Sequence, residues 1–321
     1  MRQIVTADVG GTHARFALAL IDQGRVAALD RLLTLRTGEH ASFAAAWQEF
    51  ERHIGTALPR ELAMAFAGPV GGERLKLTNN PWEIRTDQIA ATLGVDRHLI
   101  VNDFGAVAHA VASLDEDSFS HVCGADGPLP NDGLMTIVGP GTGLGVAALL
   151  KCPGGYEVIE TEGGHIDYAP LDPLEDRILG FLRDRFRRVS VERLVSGVGL
   201  ANIHGALAAI EQRPLVPQGD KELWAAALDG RDGAAAAALD RFCLIFGSVA
   251  GDLALAQGAN AVVIAGGLGL RLKDHLPRSG FASRFVAKGR FERRMEALPV
   301  KVVTHPQPGL FGAAAAFARL Y

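Results

Sequence analysis

Asn102 and Asp103 stand side by side where the apolar run His98-Leu-Ile-Val101 hands over to an alanine-rich segment. Both side chains cost free energy if buried without partners. Two roles suit them: each is a good helix N-cap, and a carboxylate at a strand end can serve as a reactive base. A second polar set is Glu162-Gly-Gly-His165, with Glu192 further on. Carboxylates and amides make the directional, paired hydrogen bonds that a polyhydroxylated ligand needs. Other readings remain open. Glu162 and His165 also suit a metal, although no third ligand lies at useful spacing, and a core histidine satisfied by a neighbour is another reading of His165. Glu192 follows Ser190 at the start of a helical pattern, where the helix dipole alone favours an acid. Asn79 and Asn80, ahead of Pro81, either border the same site or cap a turn.

Three glycine loops accompany these residues. The first is Asp8-Val-Gly10-Gly11-Thr12 with Arg15; the second is Gly139-Pro-Gly141-Thr142-Gly143-Leu-Gly145; the third is Ala265-Gly266-Gly267. Glycines let a backbone approach phosphate oxygens and present N–H groups to them. Thr12 adds a hydroxyl donor and Arg15 a fixed positive fork. Asp8 would repel phosphates unless a cation lay between, and a hydrated magnesium ion resolves that conflict. The plainer reading of the first loop is a hairpin turn with an ordinary flanking charge. A Walker-type loop is excluded because no Gly-Lys dipeptide occurs. The dinucleotide fingerprint also fits badly, since Gly10 and Gly11 lead into a second strand.

The elements that must position these groups follow from periodicity and turn signals. Ile4–Leu20 reads as a hairpin, with a third strand near Arg31–Leu35 and a helix over Ser42–Ile54. Glu61–Gly68 is a buried strand, Thr86–Leu93 a helix capped by Thr86, His98–Val101 a strand and Ala106–Ser113 a helix. Beyond the turn-rich residues 124–133 the pattern restarts. Laid on Leu134–Leu150 without gaps, Ile4–Leu20 sets Thr6 against Thr136, Gly11 against Gly141 and Thr12 against Thr142. That is the layout of a duplicated lobe. Helices are expected over Leu174–Phe186, from Val191, over Lys221–Leu228 and Ala234–Ala256, around Leu270 and over Leu310–Leu320. Asn260–Gly267 contains a buried strand and Leu298–Thr304 another. The expected domains are 1–112 plus 304–321, and 113–303.

Composition narrows the class. The 321 residues are 48% hydrophobic with net charge −4, so no large basic footprint for nucleic acid is expected. Cys123, Cys152 and Cys243 are far apart, which points to a reducing compartment without structural zinc. The apolar run before Asp8 is too short for a signal-peptide core, so a cytoplasmic protein is expected. Residues 133–150 and 253–270 are uncharged and long enough to span a membrane, but mid-segment glycine and proline fit turns better.

The three loops, in this order, resemble the phosphate-1, phosphate-2 and adenosine segments of the actin-like, ribonuclease H-like ATPases, which include sugar kinases. Further stretches at 77–84, 100–110, 161–170, 191–200 and 305–315 are similar to bacterial glucokinases of the non-ROK type, over essentially the whole chain. The resemblance implies an α/β fold of two lobes, each a hairpin-led mixed sheet flanked by helices, with the active site in the interlobe cleft. It implies ATP-dependent phosphorylation of D-glucose to glucose 6-phosphate, with Asp103 as general base on the 6-hydroxyl. Asn102, Asp103, Glu162, His165, Glu192 and Asn79 would bind the sugar. Gly10, Gly11, Thr12, Arg15, Gly141, Thr142, Gly143, Gly266 and Gly267 would bind ATP, and Asp8 its Mg2+, directly or through water. A homodimer is implied, and the zinc motif of the ROK branch is missing. His13 stands where the family often has asparagine, and Thr161 where glycine is frequent. The alternatives are a kinase for fructose or mannose, a sugar-sensing regulator, for which no DNA-binding segment precedes Asp8, and an actin-like filament or chaperone ATPase.

Overall fold

The computed structural model describes residues 1–77, 80–215 and 218–321. The chain forms two compact units: Met1–Asp115 with Val158–Glu160 and His305–Tyr321, and Glu116–Glu157 with Thr161–Thr304.

The first unit contains β1 (Arg2–Val9), β2 (His13–Asp22), β3 (Arg25–Arg36), β4 (Glu61–Phe66), β5 (Arg74–Lys76), β6 (Glu83–Arg85) and β7 (Arg97–Asn102). Its main sheet runs β3-β2-β1-β4-β7, with β5 and β6 as a separate pair. β1, β2 and β3 are antiparallel neighbours, whereas β1, β4 and β7 are parallel. β1 and β4 are apolar on successive residues because both sheet faces are covered. One face packs Phe16 against Phe43 and Phe50 of the helix Phe43–Ile54. Ser42 caps that helix by accepting the Ala45 N–H, and Gly55 ends it in the left-handed region. The other face is lined by alanines and carries the helices Asp103–Ser113 and Pro308–Leu320. These two helices touch through Gly312, where a Cβ would overlap the Ala106 carbonyl and come within 2.9 Å of Ala110 N.

The second sheet contains β8 (Phe119–Cys123), β9 (Gly133–Pro140), β10 (Leu144–Cys152), β11 (Gly155–Thr161), β12 (Ala261–Ile264) and β13 (Val300–Val303), in the order β11-β10-β9-β12-β13-β8, and Val158–Glu160 of β11 count with the first unit. With β8 set aside, this repeats the first sheet's order: β10 and β9 are antiparallel, and β9, β12 and β13 are parallel. The duplication is real, but the gapless match slips by one at the turn. Val9 pairs with Ala14 around Gly10–His13, while Pro140 pairs with Leu144 around Gly141–Gly143. Gly11 and Gly141 therefore hold different turn places, as do Thr12 and Thr142.

Several local expectations change. Residues Thr86–Gln88 form a 3-10 turn before a short helix Ile89–Leu93, and Thr86 caps nothing. Its hydroxyl instead donates to the Glu73 carbonyl at 3.2 Å. Val191–Arg193 is a 3-10 turn, and the helix waits until Gly199 because Ser196 and Gly197 intervene. β8 and β11 escape a reading by periodicity: one is short, and the other mixes polar and apolar residues on an exposed edge. Of the uncharged stretches, 133–150 is the β9–β10 hairpin. The helix Gly233–Gln257 is the one described helix long and apolar enough to cross a membrane, and it packs into the second core.

A buried ion cluster braces that core. Glu175, 1% exposed, accepts from Arg241 at 2.9 Å and faces Arg284 at 3.1 Å; both arginines also meet Asp172. Burial alone would raise the Asp172 pKa, but the Glu175 N–H and the Arg241 and Arg284 charges together hold it below the ordinary range. A depressed carboxyl stabilises fully above its unfolded pKa of about 3.9, and that contribution is lost as pH falls through the folded value. Arg241→Leu is expected to cost roughly 3 kcal/mol at neutral pH, the low end for a broken buried pair because Arg284 remains. Urea unfolding at pH 7 and below pH 4 checks both the loss and its predicted shrinkage in acid.

Candidate active site

Strand register gathers the first unit's polar residues at one sheet edge. Val9 pairs with Phe66 and Phe66 with Asn102, so the parallel strands β1, β4 and β7 end in line. The Gly10–His13 turn and the Asn102-Asp103 pair thus leave the same edge, two strand spacings or roughly 10 Å apart. The carboxyl edge of parallel strands is where open α/β sheets bind ligands.

The turn is fixed by its carbonyls. Gly10 N–H donates to His13 O at 2.9 Å and Thr37 N–H to Thr12 O at 3.1 Å. The hydroxyl of Thr37, a buried residue, donates to Gly11 O at 2.7 Å. The N–H groups of Gly11 and Thr12 have no acceptor among the described residues. Asp8 faces Arg15 across the hairpin at 3.1 Å. Burial pushes the Asp8 pKa up, opposed by the Arg15 charge and hydrogen bond. The first turn of the helix Pro308–Leu320 presses on the same carboxylate: a Cβ on Gly309 would lie 2.9 Å from Asp8 Oδ2. Thr6 anchors that turn, its hydroxyl donating to Leu310 O at 2.8 Å. Periodicity offers no signal for Thr37, Thr6 or Gly309, whose partners are distant in sequence.

Asn102 and Asp103 divide their labour. Asn102 is the N-cap, its Oδ1 accepting the N–H groups of Phe104 at 2.9 Å and Gly105 at 3.1 Å. Its Nδ2 donates to Gly68 O at 3.3 Å, which leaves one amide hydrogen for a ligand. Asp103 opens the helix, three residues earlier than expected, and its Oδ1 accepts the Phe104 N–H at 2.9 Å. The Asn102 N–H goes to Glu160, a residue the sequence did not single out.

The second unit repeats the edge arrangement. Val138, Ile264 and Val302 are in register, so the Gly141–Gly143 turn and the Gly266-Gly267 pair share an edge. Gly266 is required there: its φ is +81°, and a Cβ would lie 2.9 Å from Pro140 O. Gly141 and Gly267 face open space, and Thr142 is exposed. Glu192, half-buried, accepts the Leu144 N–H at 2.9 Å and lies against Gly143, whose Cβ would overlap it. The 3-10 turn carrying Glu192 is held by Asn202, which donates to Arg193 O at 2.8 Å.

Glu162 and His165 are exposed, with Nε2 and Oε2 3.9 Å apart, so His165 is no core residue. The intervening glycines have a packing role of their own. A Cβ on Gly163 would lie 2.9 Å from Val146 Cγ1, and one on Gly164 would overlap Leu144 O, so both are needed for packing on β10. Arg188 donates to His165 O at 2.6 Å and pairs with Asp167 at 2.8 Å, following Arg187 at φ +58°. Asn80 accepts the Trp82 N–H at 2.9 Å as a turn cap, and Asn79 lies outside the described residues. Among the described residues, no three His, Cys, Asp or Glu converge as a metal set.

Two sheets of matching order, each with a glycine turn in its leading hairpin, define the class: the fold is that of the actin-like ATPases, and the solved structures it matches include sugar kinases. The crystal structure of a glucokinase from an Antarctic psychrotroph superposes with a TM-score of 0.85 at 31% identity, covering 98% of each chain. That of the Balamuthia mandrillaris glucokinase in complex with glucose gives 0.81 at 20% identity, covering 100% of this chain and 94% of the other. The chain belongs to the glucokinase family, whose model, described as Glucokinase, matches residues 5–320. It is 60% identical to the glucokinase of Zymomonas mobilis subsp. mobilis over 319 residues, 99% of this chain and 98% of that one.

The contact between Gly309 and Asp8 makes a direct prediction. Gly309→Ala displaces the carboxylate without entering the core, so kcat/KM for ATP should fall by about tenfold or more. A thermal melt close to wild type must accompany it; unchanged kinetics would show that Asp8 tolerates displacement.

Proposed function

We propose that this chain transfers the γ-phosphoryl group of ATP to the 6-hydroxyl of D-glucose, with Asp103 as general base. The observation that carries the assignment is the division of labour at the helix start: Asn102 takes the cap, and Asp103 leaves the sheet edge that also carries the glycine turn. A carboxylate there accepts the hydroxyl proton as the new bond forms, while positioning and charge stabilisation supply most of the rate. The family assignment supports glucose as acceptor, as does the Balamuthia structure in complex with glucose.

Roles for the other residues follow from their chemistry. Gly11 and Thr12 offer N–H groups, Thr12 a hydroxyl and Arg15 a guanidinium to phosphate oxygens, with Gly10 leaving the backbone bare beside them; in the second unit Gly141 and Gly143 do the same around the Thr142 hydroxyl. Gly266 and Gly267 give a nucleoside access to bare backbone. Asn102, Asn79, Glu162, His165 and Glu192 bind sugar hydroxyls, with Glu192 also held by the Leu144 N–H. Asp8 suits a Mg2+ ion: one fixed carboxylate, with waters and phosphates completing the shell, is a usual donor set for that ion. When bound, the ion neutralises charge on the β- and γ-phosphates. Asp8 holds the ion's place, with Arg15 and Gly309 fixing the carboxylate. We further infer a cytoplasmic homodimer, which light scattering on the purified chain tests.

Asp103→Ala is expected to lower kcat by about 10²-fold or more while glucose affinity changes far less. A coupled ADP assay and calorimetric titration measure the two quantities. Full activity in this variant sinks the assignment of the base. A hexose panel is expected to give glucose the highest kcat/KM, and a higher value on fructose or mannose would overturn the acceptor but not the chemistry.

A further inference from the structure

The helix that begins at Asp103 has an unusual start. Its N-cap is Asn102, so Asp103, Phe104 and Gly105 occupy its first three positions. In a capping box, a Glu or Gln side chain at the third position reaches back to the N-cap N–H, which has no partner within the helix. Here the third residue is Gly105 and has no side chain to send. Glu160, on β11, supplies the missing group: its Oε1 accepts the Asn102 N–H at 3.0 Å. Its carboxylate also fills the room that Gly105 leaves, since a Cβ there would overlap Oε1. Both observations fall on the turn that carries Asp103.

We propose that Glu160 is a positioning residue for Asp103, completing from a distant strand the capping box that Gly105 leaves open. By holding the Asn102 N–H it fixes the peptide ahead of Asp103, and with it the direction in which that carboxylate leaves the helix. The proposal rests on Asp103 being the base. It assigns Glu160 no contact with sugar or ATP, so its removal acts on turnover rather than on binding.

Four variants test it. Glu160→Ala is expected to lower kcat by about tenfold, with KM for ATP nearly unchanged. Glu160→Gln keeps an acceptor for the N–H and is expected to restore most of kcat. Gly105→Ala, which helix propensity alone favours, should lower kcat because its Cβ expels the Glu160 carboxylate. The double variant Glu160→Ala/Gly105→Ala should then be no slower than Glu160→Ala alone, a non-additivity expected only of groups in contact. The inference is overturned if Glu160→Ala keeps wild-type kcat, if Gln fails where Ala fails, or if the two losses multiply. Hydrogen exchange at the Asn102 amide separates this from a failure of the functional reading. A wild type inactive on every hexose sinks that reading and the catalytic half of this one. Loss of amide protection in Glu160→Ala, retained in Glu160→Gln, still decides the contact.

Discussion

The first unit depends on one close approach, that of the helices Asp103–Ser113 and Pro308–Leu320 at Gly312. Side chains of ordinary size would hold two helices 8–10 Å apart. Alanines at 63, 65, 106, 313, 314 and 318, with Gly312 at the crossing, let both helices and the sheet pack nearly backbone to backbone. Such a layer buries little apolar surface per residue, so its contribution is geometric as much as energetic. It fixes the start of one helix, which carries Asp103, relative to the start of the other, which presses on Asp8. Thr6, bonded from β1 to Leu310 O, locks the second helix along its length. Both carboxylates of this sheet edge therefore answer to the same thin layer, and neither can move without the other feeling it.

Duplication supplied two similar sheets, and small differences at their turns separate their chemistry. The first turn has one residue more; its Gly11 and Thr12 carbonyls accept from Thr37 and its His13 carbonyl from the Gly10 N–H, leaving the Gly11 and Thr12 N–H groups beside an acid and an arginine. The second turn is tighter, closed by Gly141 N–H on Gly143 O and steadied by Gly197 N–H on Gly141 O. It has no acid of its own in the hairpin, and one arrives from elsewhere as Glu192. A single residue of loop length changes which backbone groups face out, and that decides what each turn can hold.

Much of this was legible in the sequence. Glycine turns between apolar runs, buried strands and long amphipathic helices are local signals, and so was the repeat. What stayed hidden depends on partners distant along the chain. Asn and Asp cap equally well, so nothing local could say that Asn102 takes the cap and Asp103 does not. Glu160 sits in a strand of mixed polarity and gave no sign of its bond to Asn102. Thr86 stood at a plausible cap position yet closes a hairpin, because Glu73 O is within its reach. Gly163 and Gly164 lie between Glu162 and His165, and nothing local shows that they pack on Val146 and Leu144.

The glycines themselves take on a second meaning. Read along the sequence, they mark places where phosphate approaches the backbone. In the folded chain, Gly309 lies under Asp8, Gly105 under Glu160 and Gly143 under Glu192. A carboxylate is hard to hold still, because its stem is flexible and full burial costs several kcal/mol. Resting it on a bare Cα, with one N–H or guanidinium as partner, fixes its direction. Asp8 uses Arg15, Glu160 the Asn102 N–H and Glu192 the Leu144 N–H. The same removal of a side chain that opens the backbone to phosphate thus also seats the acids that must work beside it. At these three positions a methyl group would cost the site the direction of a carboxylate before it cost the fold its stability.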